Sequence, residues 1–320
     1  MPDGPVAMPM PPKLMILMAL HDAGPYLQPQ LQSLLEQTMP DWALLVGDDG
    51  ARDGSVERVL DFARQHPQHS IEIIPGPRRG FAQNFLNLMR VAGPDVPYVA
   101  LADHDDVWLP EKLARAVARL EAEGDALPVL YCARTMICDA DLRPVAPSPI
   151  WRRPFSFANA LVQNVAAGNT IVLNRPALDL VQLAAAAADR AGITAHDWWL
   201  YQLIIGAGGG VVRDDSPVLL YRQHERNLMG RNDTFRSALI RSREISRGVF
   251  RTWIGRNIAA LQGCDTLLTQ ENARLLRDFA AMRQLPGGWA RFCELRRLGI
   301  YRQTRLAGLA LQIAAWRGLL

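Results

Sequence analysis

The 320-residue chain predicts an α/β fold: a mostly parallel sheet with helices on both faces, followed by a helical extension. Three observations carry that prediction. From Leu14 onward, short apolar runs alternate with segments of helical spacing. The runs are apolar throughout and not every second residue, as strands buried on both faces require. Finally, acidic clusters follow two of the runs, at the strand ends where open α/β sheets hold their ligands.

The elements follow in order. Leu14–Leu20 reads as a buried first strand after a Met/Pro-rich leader over 1–12, expected to be disordered. Its run is too short to span a membrane and lacks the basic stretch of a secretory signal. Tyr26–Gln37 has helical spacing through Leu27, Leu31, Leu34 and Leu35. Trp42–Val46 is a second strand running into Asp48-Asp49-Gly50; Val56–Gln65 is helical, Ile71–Ile74 a third strand, and Ala82–Val91 helical again. Tyr98–Ala102 is a fourth strand and runs into Asp103-His104-Asp105-Asp106. Pro110 can open the amphipathic helix Glu111–Glu123. Val129–Ala133 and Thr170–Leu173 read as further strands, 139–165 as loop, and Ala177–Ala188 as an Ala-rich helix. The Gly206–Gly210 run fits neither phosphate-loop spacing and is read as a helix end with a turn.

Composition narrows the classes. Hydrophobic residues at 49% and charged residues at 21% describe a folded chain able to build an ordinary core. Cys132, Cys138, Cys264 and Cys293 form no C-x-x-C pair, which points to a reduced, cytoplasmic protein. Charge is uneven: residues 1–230 carry 19 basic and 26 acidic residues, whereas 231–320 carry 16 arginines against 6 acids. Only Lys13 and Lys112 are lysine, a bias read here as genome composition.

Three carboxylates within Asp103-His104-Asp105-Asp106 repel one another unless a cation sits among them, and hard oxygen donors suit Mg²⁺ or Mn²⁺. The competing reading is a solvated acidic turn with Asp106 as a cap. Asp48 and Asp49 fit either a base or ribose contact or an Asx turn, and Asp197 either a free base or a helix N-terminal acid. His224, near Arg222 and Arg226, fits a structural role or a basic lid over a diphosphate; Trp108, Trp198 and Trp199 fit sugar stacking or core packing.

Taken together, His21-Asp22-Ala23-Gly24-x-Tyr26-Leu27, Gln30-Leu31-x-Ser33-Leu34-x-x-Gln37 and Asp48-Asp49-Gly50 resemble the opening of the family 2 inverting glycosyltransferases. Asp103-His104-Asp105-Asp106-Val107-Trp108-Leu109-Pro110-Glu111-Lys112-Leu113 resembles the D-x-D-D-x-W-x-P-x-K-L signature of their rhamnosyltransferase-like branch. His196-Asp197-Trp198-Trp199-Leu200 and Tyr221-Arg222-Gln223-His224-x-x-Asn227 are similar to that branch's later motifs. The resemblance covers about residues 13–232. It implies a GT-A fold, a nucleotide-sugar donor and a divalent cation, Mg²⁺ or Mn²⁺.

By position, the resemblance implies donor contacts from Asp22, Asp48, Asp49, Asp103 and Arg222. It implies metal contacts from Asp103, Asp105, Asp106 and His224, and a catalytic base in Asp197. The chain departs from the family pattern at Ala51, where Ser is usual, and at His104, where Gln is common. The favoured reading is transfer of one sugar, rhamnose from dTDP-rhamnose, to a hydroxyl of a glycan or lipid-linked glycan in cell-surface polysaccharide synthesis. A UDP-sugar enzyme and a donor-binding subunit without turnover are the alternatives; a nucleotidyltransferase is disfavoured, since His21–Gly24 offers no phosphate-gripping loop.

Residues 233–320 form the Arg-rich extension, in which Trp289, Phe292, Leu306, Leu309 and Ile313 are interleaved with arginines. Two readings stand: a helix lying on the anionic inner face of the cell membrane, or a hairpin packed on the catalytic domain or on a second subunit of a homo-oligomer. Nucleic acid is not an expected partner, since no such motif accompanies the arginines.

Overall fold

A computed structural model describes residues 12–224 and 248–320. The leader, apart from Pro12, lies outside these residues, as do Arg226, Asn227 and the 232/233 boundary. The strands are β1 (Leu14–Leu20), β2 (Trp42–Asp48), β3 (Ile71–Pro75), β4 (Tyr98–Asp103), β5 (Val107–Trp108), β6 (Val129–Cys138), β7 (Pro144–Pro147), β8 (Val172–Asn174) and β9 (Gly210–Arg222). They form one sheet in the order β3-β2-β1-β4-β8-β6-β9-β5, with β7 paired to β6. Strands β1, β2, β3 and β4 pair in parallel, as do β6 and β9, while the short β5, β7 and β8 run against their neighbours.

The helices are α1 (Leu27–Leu35), α2 (Ser55–Gln65), α3 (Phe81–Val91), α4 (Lys112–Glu123), α5 (Phe157–Ala160), α6 (Arg175–Ala191) and α7 (His196–Gly206). Four more follow: α8 (Val249–Gln262), α9 (Gln270–Gln284), α10 (Gly288–Arg297) and α11 (Arg305–Arg317). Alternate residues of β1 explain why its whole run is apolar. Leu14, Ile16, Met18 and Leu20 face one layer with Leu31 of α1, Phe62 of α2 and Val117 of α4. Leu17 and Ala19 face the other layer, with Phe85 of α3, Val181 of α6 and Trp199 of α7. Since successive strand side chains point to opposite faces, a sheet covered on both sides buries every position.

The extension joins the second layer. Ile254 and Leu261 of α8, Phe279 of α9, Leu295 of α10 and Ala315 of α11 belong to the same buried cluster as α6 and α7. The inward faces of these helices are therefore packed on the body of the protein.

Three features differ from the sequence reading. Strand β6 continues five residues past the expected Ala133, and 139–165 contains both β7 and α5. The long β9 was not expected, since Asp214, Asp215 and Pro217 interrupt its apolar pattern. Asp214 is tolerated there because Arg115 pairs with it at 2.5 Å and the Tyr131 hydroxyl donates to it at 3.2 Å.

Candidate active site

Parallel register brings the acidic strand ends together. Leu20 of β1 lies opposite Asp48 of β2, and Ala19 lies opposite Asp103 of β4, so three strands finish along one edge. The chain leaves that edge through Asp22, Asp48-Asp49 and Asp103–Asp106.

Asp103, Asp105 and Asp106 each place a carboxylate oxygen within 4.8 Å of the others. Burial, then the charges of Asp105 and Asp197, push the Asp103 carboxyl up to about 7. Burial also raises Asp106 well above the carboxylate range, although Asn169 donates its side-chain amide to it at 2.6 Å. Three hard oxygen donors under this mutual repulsion suit a divalent cation. His224 stands at the rim with Nε2 2.9 Å from Asp105, stacked on Tyr26 at 4.5 Å between ring centres. His104 turns away: its ring Nδ1 lies 3.0 Å from the Ala19 carbonyl, in hydrogen-bond contact with the strand backbone.

Behind the cluster lies Lys112, fully buried, with its ammonium 3.2 Å above the centre of the Trp108 ring and 2.6 Å from the Asn169 carbonyl it donates to. Burial holds the ammonium well below the usual lysine range, against the attraction of Asp106 and Asp103. Buried polar residues of α1 and of the turn after it dock this loop: Ser33 accepts the Trp108 N–H at 3.0 Å, and Gln37 bonds both the Leu109 carbonyl and the Leu113 N–H.

Asp197 sits in the first turn of α7, where Asn164 donates to its Oδ2 at 2.8 Å and the Trp198 N–H to its Oδ1 at 2.8 Å. Burial pushes it up to about 6 against these bonds. Its neighbour His196 is stacked on Phe85 at 4.1 Å, and burial lowers its ring to about 3, so it is neutral.

The fold thus gathers Asp103, Asp105, Asp106, His224 and Asp197. The other expected contact residues have protein partners. Asp48 accepts the Gly50 and Ala51 N–H groups, Asp49 those of Arg78 and Gly80, and Asp22 that of Arg52. Arg222 is buried, donating to the Asp105 and Ala140 carbonyls with its guanidinium 4.8 Å above the Tyr26 ring. Trp108, Trp198 and Trp199 are buried core residues.

Sequence reasoning missed Asn164, Asn169 and Lys112. For Lys112 a signal was present, since it stands in the stretch that resembles the D-x-D-D-x-W-x-P-x-K-L signature. The two asparagines had only a polar, Gly-containing stretch, 163–170, to mark them.

Comparison with known proteins points to one enzyme family. Residues 15–171 match the family described as glycosyl transferase family 2. The match spans the strands that end in Asp48 and Asp103, and leaves Asp197, Arg222 and His224 beyond it. The dTDP-rhamnosyl transferase RfbG of Shigella flexneri is 25% identical over 234 residues, 69% of this chain and 76% of that one. The Escherichia coli UDP-Glc:alpha-D-GlcNAc-diphosphoundecaprenol beta-1,3-glucosyltransferase WfgD is 26% identical over 106 residues, 33% of this chain and 40% of its own length.

Among solved structures, the mannosyltransferase PcManGT of Pyrobaculum calidifontis, in complex with GDP-Man and Mn²⁺, aligns over 95% of this chain and 86% of its own at TM-score 0.50 and 16% identity. The S. aureus TarS fragment 1-349, in complex with UDP-GlcNAc, aligns over 90% and 93% at TM-score 0.50 and 14% identity. These likenesses establish a GT-A-like fold with added C-terminal helices. By motif, match and fold, the chain carries a family 2 glycosyltransferase segment over residues 15–171 and is similar to rhamnosyltransferase-like members of that family.

Proposed function

We propose that the protein transfers one sugar, with inversion, from a nucleotide-sugar donor to a hydroxyl of a glycan or lipid-linked glycan in cell-surface polysaccharide synthesis. The observation that carries this reading is the separation of labour among carboxylates: Asp103, Asp105 and Asp106 are clustered, whereas Asp197 stands on another element. An acceptor hydroxyl is a poor nucleophile, and displacement from the face opposite the leaving group needs a carboxylate to take its proton. Asp197, held by Asn164 and mostly ionised at neutral pH, suits that task.

Asp103, Asp105 and Asp106, with His224 at the rim, would hold Mg²⁺ or Mn²⁺, whose charge stabilises a departing diphosphate. Asp22, Asp48 and Asp49 support the donor side through the turns they organise, and Arg222 does so through its hold on the Asp105 carbonyl. Similarity to RfbG favours dTDP-rhamnose as donor. A UDP-sugar is the second reading, favoured by the similarity to WfgD, whose name also includes a diphosphoundecaprenol acceptor. On this reading the reaction takes place in the cytoplasm, with the inner face of the membrane as the proposed site.

The test is release of nucleotide from dTDP-, UDP- and GDP-sugars by purified protein, with Mn²⁺ or Mg²⁺ and with EDTA, beside calorimetric donor binding. EDTA-sensitive release from dTDP-rhamnose, lost in Asp105→Ala, is the expected result. Loss of release in Asp197→Ala with donor binding intact supports the base. Metal-dependent donor binding by the native protein with no transfer to any acceptor would favour a non-catalytic subunit, and absence of binding would sink the transferase reading.

A further inference from the structure

We infer that the α10–α11 hairpin is a docking surface for an anionic lipid bilayer. The inward side of α11 is buried through Leu311, Ala314 and Ala315, yet its outward side is also apolar. Leu306 is 82% exposed, Leu309 55%, Ile313 50% and Trp316 56%. Their spacing of three and four residues lays them along one stripe of the helix. Trp289, 70% exposed, stands in the first turn of α10 beside Gly288. The two helices meet closely there, since a side-chain carbon on Gly288 would fall 2.8 Å from the Trp316 ring. Apolar residues in a continuous exposed run of this kind mark an interaction surface.

Charge selects the occupant. Residues 285–320 carry six arginines and one acid, Glu294, which is bound by Arg297 at 2.5 Å. Arg305 and Arg317 are exposed at the two ends of the stripe. A second copy docked here through a two-fold axis would face the same arginines and be repelled. An anionic bilayer is complementary at every point: the leucines and isoleucine enter the acyl boundary, the tryptophans sit at the headgroup level and the arginines meet lipid phosphates. Among the described residues no helix is long and apolar enough to cross a membrane, so the contact is one of surface and not of spanning.

The hairpin is also tied to the acid that we assign as base. Gln163 accepts the Gln303 N–H at 2.7 Å, and Asn159 donates to the Tyr301 carbonyl at 3.1 Å. Asn164, next in the chain, holds Asp197. Resting on the transferase reading, this tie sets the height of Asp197 above a lipid-linked acceptor. The docking itself needs no donor and stands whether or not that reading holds.

The test is sedimentation of the full chain with vesicles of phosphatidylcholine alone and of phosphatidylcholine with phosphatidylglycerol. The native protein is expected to sediment only with the anionic vesicles, with a salt-dependent partition and a blue shift of tryptophan emission. Leu309→Glu with Ile313→Glu is expected to weaken binding at least about tenfold. Arg305→Glu with Arg317→Glu, which leaves the apolar stripe intact, is expected to weaken it by roughly fivefold per arginine or more. Circular dichroism matching the native protein certifies that either pair is folded. Absence of binding to anionic vesicles, equal binding to neutral ones, or native binding by folded variants would overturn the inference. So would a dimer in sedimentation equilibrium that the Glu pair dissociates, because a second copy would then cover the face.

Discussion

Asn164 donates its side-chain amide to Oδ2 of Asp197 at 2.8 Å, and so favours the charged form of a carboxyl that burial pushes up to about 6. If Asp197 is the base, the ionised form is the active one. The rate should therefore rise with pH through about 6 and level off above it. Removing the amide in Asn164→Ala disfavours the charge, so the rising limb should move to higher pH by about 1. Asp197→Asn should lose on the order of 10²–10⁴ in kcat at the plateau. A kcat–pH profile of the three proteins decides the matter, and a limb that stays in place in Asn164→Ala would remove Asp197 from the role.

Lys112 is a buried lysine beside the acidic cluster, where the attraction of Asp106 and Asp103 opposes the cost of burying its charge, and it is bonded to the Asn169 carbonyl. Lys112→Met fills similar space but leaves those carboxylates without it. We expect a loss of about 3 kcal/mol in urea denaturation, since breaking one side of a buried charge group is costly. A variant as stable as the native protein would show that the lysine contributes packing alone.

Gly47 in β2 has no room for a side chain: an added carbon would lie 2.2 Å from Oδ1 of Asn84, whose amide donates to the Gly47 carbonyl at 2.6 Å. Gly47→Ala should displace Asn84, strip that bond from the strand end that leads into Asp48 and Asp49, and cost about 2 kcal/mol. Thermal melting checks it; an unchanged midpoint would mean that the strand end shifts freely.

Much of this was legible without coordinates. The runs Leu14–Leu20 and Tyr98–Ala102 read as buried strands because a sheet covered on both faces leaves no polar side to confuse the pattern. Acidic residues just past such runs then had to fall on one edge once the strands were parallel. The length of β9 escaped, because the charge of Asp214 is compensated by Arg115, 99 residues away. The tryptophans near the acidic motifs fitted stacking on sugars as well as packing, and burial assigns them to the core.

The sequence by itself determined which stretches would be strands, where the acidic edge would lie and to which family the motifs belong, because apolar period and motif spacing are local properties of the chain. Tertiary structure alone decided which partners each carboxylate has. Asp49 is satisfied by backbone amides 29 and 31 residues away, Asp106 by an asparagine 63 away and Asp197 by one 33 away. The identity of a carboxylate's partner, and with it the ease of its ionisation, depends on long-range register and burial, which no local spacing encodes.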